Sequence, residues 1–168
     1  MPEMSHLEFV QHEAYKNMDF HMENMDNLQK ESNTTLTFLY VVISASFSGA
    51  VKLFTDEDLT TVALALSVLC IYLAGLAAYL VFACMRARIV KAPANEPKNL
   101  KMPDGYTPQE MQQFELENLQ ERIDFNRQRN DHTARHLNIV RVLICASPIV
   151  FLVFIAFFWV LSGIFAGA

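Results

Sequence analysis

A chain of 168 residues is enough for one domain. It is 52% hydrophobic with a formal net charge of −5, and its apolar residues gather in blocks. The blocks exclude an ordinary soluble core, because so short a chain could not cover three apolar helices of bilayer-spanning length.

The predicted fold class is therefore an all-α membrane protein, with three transmembrane helices and two cytoplasmic helices, the second continuous with the last span. The expected organisation is an acidic amphipathic cytoplasmic helix over 1–32 and a two-span hairpin over 33–84. A basic, Pro-rich cytoplasmic linker follows over 85–106, then a heptad helix over 107–140 and a third span over 141–168.

Residues 5–8, SHLE, form a capping box, and helical signal continues to about Lys30 with no Pro or Gly. The apolar stripe of this helix is Leu7, Val10, Ala14, Met18, Met22, Met25 and Leu28, at steps of 3 and 4. Its methionines make a soft contact surface, for a neighbouring helix or for a partner. The remaining faces are acidic, including Glu8, Glu13, Asp19, Glu23, Asp26 and Glu31.

Span one, near 34–54, contains LTFLYVVISASFSGAVKL. On a helical wheel Thr34, Thr37, Val41, Ser44, Ser48 and Lys52 form one stripe along its length. Ser44–Ser48, Ala45–Gly49 and Ser46–Ala50 are small-xxx-small pairs that allow close helix approach. Two readings stay open. The small residues could pack while the hydroxyls bond back to their own helix, or the stripe could line a water-filled pore. A three-span protomer has too few polar faces to enclose a pore alone, so the second reading requires several copies around an axis.

Span two, near 59–84, has few polar groups beyond Ser67, Tyr72 and Tyr79. The loop before it carries Asp56, Glu57 and Asp58, whereas the segment after it carries Arg86, Arg88, Lys91, Lys98 and Lys101 against Glu96. Lys and Arg accumulate on the cytoplasmic side of a membrane. The expected location is the inner (plasma) membrane of a bacterium, with the N-terminus cytoplasmic and the C-terminus outside. The first residues lack a basic, then apolar, leader pattern, so span one is expected to serve as the insertion signal.

Pro93, Pro97, Pro103 and the Asp104–Gly105 pair break regular structure in the linker. TPQE at 107–110 is a second capping box, with Pro108 at the first helical position. A heptad follows: Leu116, Leu119, Ile123, Asn126, Asn130, Thr133, Leu137 and Val140. Polar residues inside such a seam set register and oligomer state, which makes Leu116, Leu119, Ile123, Asn126, Asn130 and Leu137 the candidate oligomer seam. Arg122, Arg127, Arg129, His132, Arg135 and His136 are the candidate ligand- or partner-binding residues. They could pair with the acidic first helix, meet anionic lipid headgroups, or bind a nucleotide or oligonucleotide. Span three begins at Arg141 and holds Pro148, an expected kink, and Trp159, compatible with an interfacial aromatic belt.

Phosphate-loop, zinc-spacing and nucleophile-elbow patterns do not occur, so neither catalytic residues, metal ligands nor a cofactor are expected, and the protein is not expected to be an enzyme. Cys70, Cys84 and Cys145 read as small apolar residues.

The segment ELENLQERIDFNRQRNDHTARHLNIVRVLICASPIVFLVF, 115–154, together with the hairpin before it, resembles in architecture the small multi-span effectors of bacterial anti-phage defence, including SLATT-type proteins. That plan joins two membrane helices to cytoplasmic helices; the third span here is a departure from it. The resemblance implies an ion channel or pore that acts as a toxic effector, controlled by a nucleotide-type signal or a nucleotidyltransferase partner. The expectation is thus a homo-oligomeric pore, a tetramer, in membrane lipid and gated through its cytoplasmic helices. The alternative is a non-conducting membrane scaffold that recruits a soluble partner.

Overall fold

The computed structural model describes residues 6–56, 60–86, 90–93 and 107–166. The described residues are helical apart from short connections. Helix α1 is His6–Thr55, α2 is Thr60–Leu80, and α3 is Pro108–Ala166. α2 continues as one π-helical turn, Val81–Met85. Each of the three is long and apolar enough to cross a membrane. Ser5, the first capping residue, and Glu57 and Asp58 of the acidic loop lie outside the described residues, as does most of the linker.

α1 stays helical from its acidic half into its apolar half. A change in side-chain polarity does not disturb backbone hydrogen bonds, and neither Pro nor an interior Gly interrupts the chain before Gly49. α3 opens on the predicted capping box. Thr107 donates its backbone N–H to Glu110 Oε2 at 2.8 Å, and the Glu110 N–H donates to Thr107 Oγ1 at 3.3 Å. Helical structure runs unbroken through Pro148.

The chain divides into two compact units. Their boundaries, after Leu28 and after Thr133, fall within α1 and α3. The first unit comprises Met1–Leu28 and Ala87–Thr133. In it the first part of α1 packs parallel to the first part of α3, as Met18 meets Asn126 and His21 meets Asn130. Met18, Leu119 and Ile123 are its buried core, flanked by Ala14, Tyr15 and Met22. The heptad stripe of α3 is therefore filled by the methionine stripe of the same chain. Burial of these apolar side chains is the main favourable term for this unit.

The second unit comprises Gln29–Arg86 and Ala134–Ala168. α2 runs antiparallel to α1, with the Cys70 thiol on the Ile43 carbonyl and Leu66 3.5 Å from where a Cβ on Gly49 would sit. It also runs antiparallel to α3, since Tyr79 meets His136 and Tyr72 donates to the Leu143 carbonyl at 2.9 Å. That carbonyl precedes by one residue the carbonyl of Ile144, which Pro148 leaves without its helical N–H donor. Leu39, Ala50, Ala63, Ala65, Leu73, Leu80, Leu137 and Val140 are buried here. Beyond Val140, none of the α3 residues through Ile164 is buried.

Candidate functional site

The polar face of α1 lies wholly in the second unit. Its buried face there is Ser32, Thr35, Leu39 and Ala50. Thr34, Thr37, Val41, Ser44, Ser48 and Lys52 are all exposed, Val41 at 63%. The two other spans leave the stripe uncovered. The small residues divide by position: Gly49 and Ala50 are drawn against the bundle, whereas Ala45 is exposed.

The hydroxyls behave in two ways. Thr34 donates to the Lys30 carbonyl and Thr37 to the Asn33 carbonyl, each at 3.0 Å. Both thereby satisfy their protons within the helix and turn oxygen lone pairs outward. Ser44 and Ser48 make no such bond among the described residues. Exposed O–H groups in so apolar a helix need water, an ion, another polar surface or a carbonyl of their own helix, because burying an unpaired hydroxyl in hydrocarbon costs several kcal/mol, roughly 2–7. Ala74, Ala77 and Ala78 of α2 form the floor of a shallow apolar cleft of about 350 Å³ rimmed by Tyr40 and Phe82. It offers no comparable polar groups.

The predicted basic residues divide between the two units. In the first unit Arg122 is buried, with Nη1 3.3 Å from the Pro93 carbonyl and 3.5 Å from Glu115 of its own helix. Arg129 lies on Met25, with Nη1 3.3 Å from Sδ. Arg127 and His132 are exposed. In the second unit Arg135 is exposed, whereas His136 is half-buried at the Tyr79 hydroxyl. Arg122, Arg129 and His136, seven residues apart, thus each contact a partner within the chain. In the second unit Glu31 of α1 pairs with Arg141 of α3 at 2.9 Å.

The seam asparagines have an intramolecular use. Asn130 Nδ2 donates to the His21 carbonyl at 2.7 Å, and Asn126 Nδ2 to the Lys91 carbonyl at 3.1 Å. Asn126 also reaches the Met18 and Met22 sulfurs. Lys91 pairs with Glu121 at 2.6 Å and lies over the Phe125 ring. With the Arg122 contact to the Pro93 carbonyl, the segment 90–93 is attached to α3 at four points. Leu116 is half-buried and Leu119, Ile123 and Leu137 are buried within the single chain. Sequence reasoning missed Lys91 and the two tyrosines as packing partners. No periodic signal could have found them, because their partners are distant in sequence.

These observations define a helical chain with three helices able to span a membrane, one of which exposes a polar stripe. Compared with known proteins, the chain matches no family model, no curated protein and no solved structure.

Proposed function

We propose that the chain is a homo-oligomeric membrane pore whose water-filled path is lined by the α1 face of Thr34, Thr37, Ser44, Ser48 and Lys52. The carrying observation is that this polar face is exposed, turned away from α2 and α3, in a helix apolar enough to cross a membrane. A single copy leaves the stripe in hydrocarbon; several copies around an axis give it water. In this reading the membrane is the bacterial inner membrane, with the 1–28 and 87–133 portions cytoplasmic and coupled to opening.

The heptad stripe of α3 is occupied by α1 of the same chain in the first unit. Copies therefore meet through other surfaces, such as the uncovered apolar face of α3 beyond Val140. A role as a toxic effector in anti-phage defence, and control by a nucleotide signal or a nucleotidyltransferase, rest on architectural resemblance. A soluble partner recruited to the methionine stripe has less support, since Met18 is fully buried in the chain's own core.

The test is ion flux from liposomes holding the purified full-length protein. Wild type releases trapped ions, and Ser44→Leu and Ser48→Leu reduce the rate by an order of magnitude. Liposomes that stay tight at high protein load refute the pore.

A further inference from the structure

The exposed stripe does not end at Thr34. One turn earlier, at the same 3–4 step, comes Lys30, whose side chain is also exposed. Lys30 and Lys52 are separated by 22 residues of one helix, about 33 Å at 1.5 Å per residue. A bilayer core is about 30 Å thick. The stripe thus carries a lysine at each edge of the hydrocarbon.

Between them the acid on α1 is Glu31, and its carboxylate sits 2.9 Å from Arg141 on α3. That pairing draws Glu31 toward the bundle and neutralises it. From Ser32 to Val51 there is no acidic or basic side chain. Asp56, followed in the sequence by Glu57 and Asp58, lies a turn beyond Lys52, outside the apolar stretch.

We propose that this pore, if the reading above holds, selects small monovalent anions such as chloride, with rings of Lys30 and Lys52 at its two ends. Rings of Lys or Arg are the usual electrostatic filter of anion pores. The hydroxyl lining has mixed character. Thr34 and Thr37 present lone pairs, which suit a cation, whereas Ser44 and Ser48 keep their protons available to an anion. Hydroxyl dipoles are partial charges, and the ammonium groups are full charges facing a low-dielectric wall, so the lysines decide the sign.

The experiment records currents from the purified full-length protein in planar bilayers across a potassium chloride gradient. Wild type reverses toward the chloride equilibrium potential, with chloride favoured several-fold over potassium. Lys30→Gln and Lys52→Gln each lower that ratio, and the double variant Lys30→Glu with Lys52→Glu inverts it. Arg141→Gln, which frees Glu31 while leaving both lysines in place, also lowers it. Conducting protein that favours potassium, or whose ratio none of these substitutions moves, overturns the selectivity and leaves the pore standing. A bilayer that never conducts overturns both.

Discussion

Replacing Met18 with Ala tests whether the methionine stripe is a core or a docking surface. Met18 is 0% exposed, packs with Leu119 and Ile123, and accepts a contact from Asn126 Nδ2 at 3.6 Å. Truncating a buried Met to Ala costs about 2–5 kcal/mol, combining lost transfer energy with the cavity left behind. The first unit has a small core, so its neighbours can partly collapse, which places the expected cost near the low end, about 2 kcal/mol. At 1.4 kcal/mol per tenfold, that is roughly a 30-fold rise in local opening. Hydrogen exchange with mass spectrometry on the full-length protein in detergent reads this peptide by peptide. Amides of 14–22 and 116–126 should exchange at least tenfold faster in Met18→Ala, while those of 63–80 stay at the wild-type rate. Unchanged protection in both 14–22 and 116–126 would refute the packing account and return the stripe to the surface.

Tyr72→Phe removes the hydroxyl that donates to the Leu143 carbonyl. An interhelical hydrogen bond inside a membrane protein is worth about 0.6–1.7 kcal/mol, so thermal unfolding in detergent should shift down by a few degrees; no shift means the bond is not made. At the start of α3, Glu110 is held below the usual glutamate range by the Thr107 backbone N–H and then by the Thr107 hydroxyl. Its folded value is depressed, so its stabilisation is present above the unfolded value and is lost as pH falls through the folded one. First-turn amides 109–111 should therefore lose protection on acidification below the usual carboxylate range, and Glu110→Ala should lose it already at neutral pH. Equal protection in wild type and Glu110→Ala at neutral pH would dismiss the capping box as a stabilising element.

Much of the fold was readable in advance because its signals are local. The apolar blocks and the TPQE cap each act within a few residues, and three long apolar helices with a capped start to α3 follow from them. The expected break between the cytoplasmic helix 1–32 and span one does not occur, because α1 runs unbroken from His6 to Thr55. The periodicity of α1 likewise placed the hydroxyls on one stripe, but of the expected close-approach pairs Ala45 is exposed while Gly49 and Ala50 pack. The heptad of α3 was equally visible, but a heptad states only that a helix has a partner, not whose helix it is. Only the three-dimensional arrangement shows Leu119 and Ile123 against Met18 of the same chain.

The basic stretch makes the same point through charge. Spacing by seven places Arg122, Arg129 and His136 on one face whatever the fold, since that follows from 3.6 residues per turn. Whether the face looks outward is a tertiary matter. Here Glu115, Met25 and Tyr79 each give one of the three side chains a partner within the chain. Composition and periodicity by themselves determined three helices able to cross a membrane and a hydroxyl stripe on the first. The packing of α1 against α2 and α3 decided that this stripe stays uncovered, because Ser32, Thr35, Leu39 and Ala50 took the buried face instead.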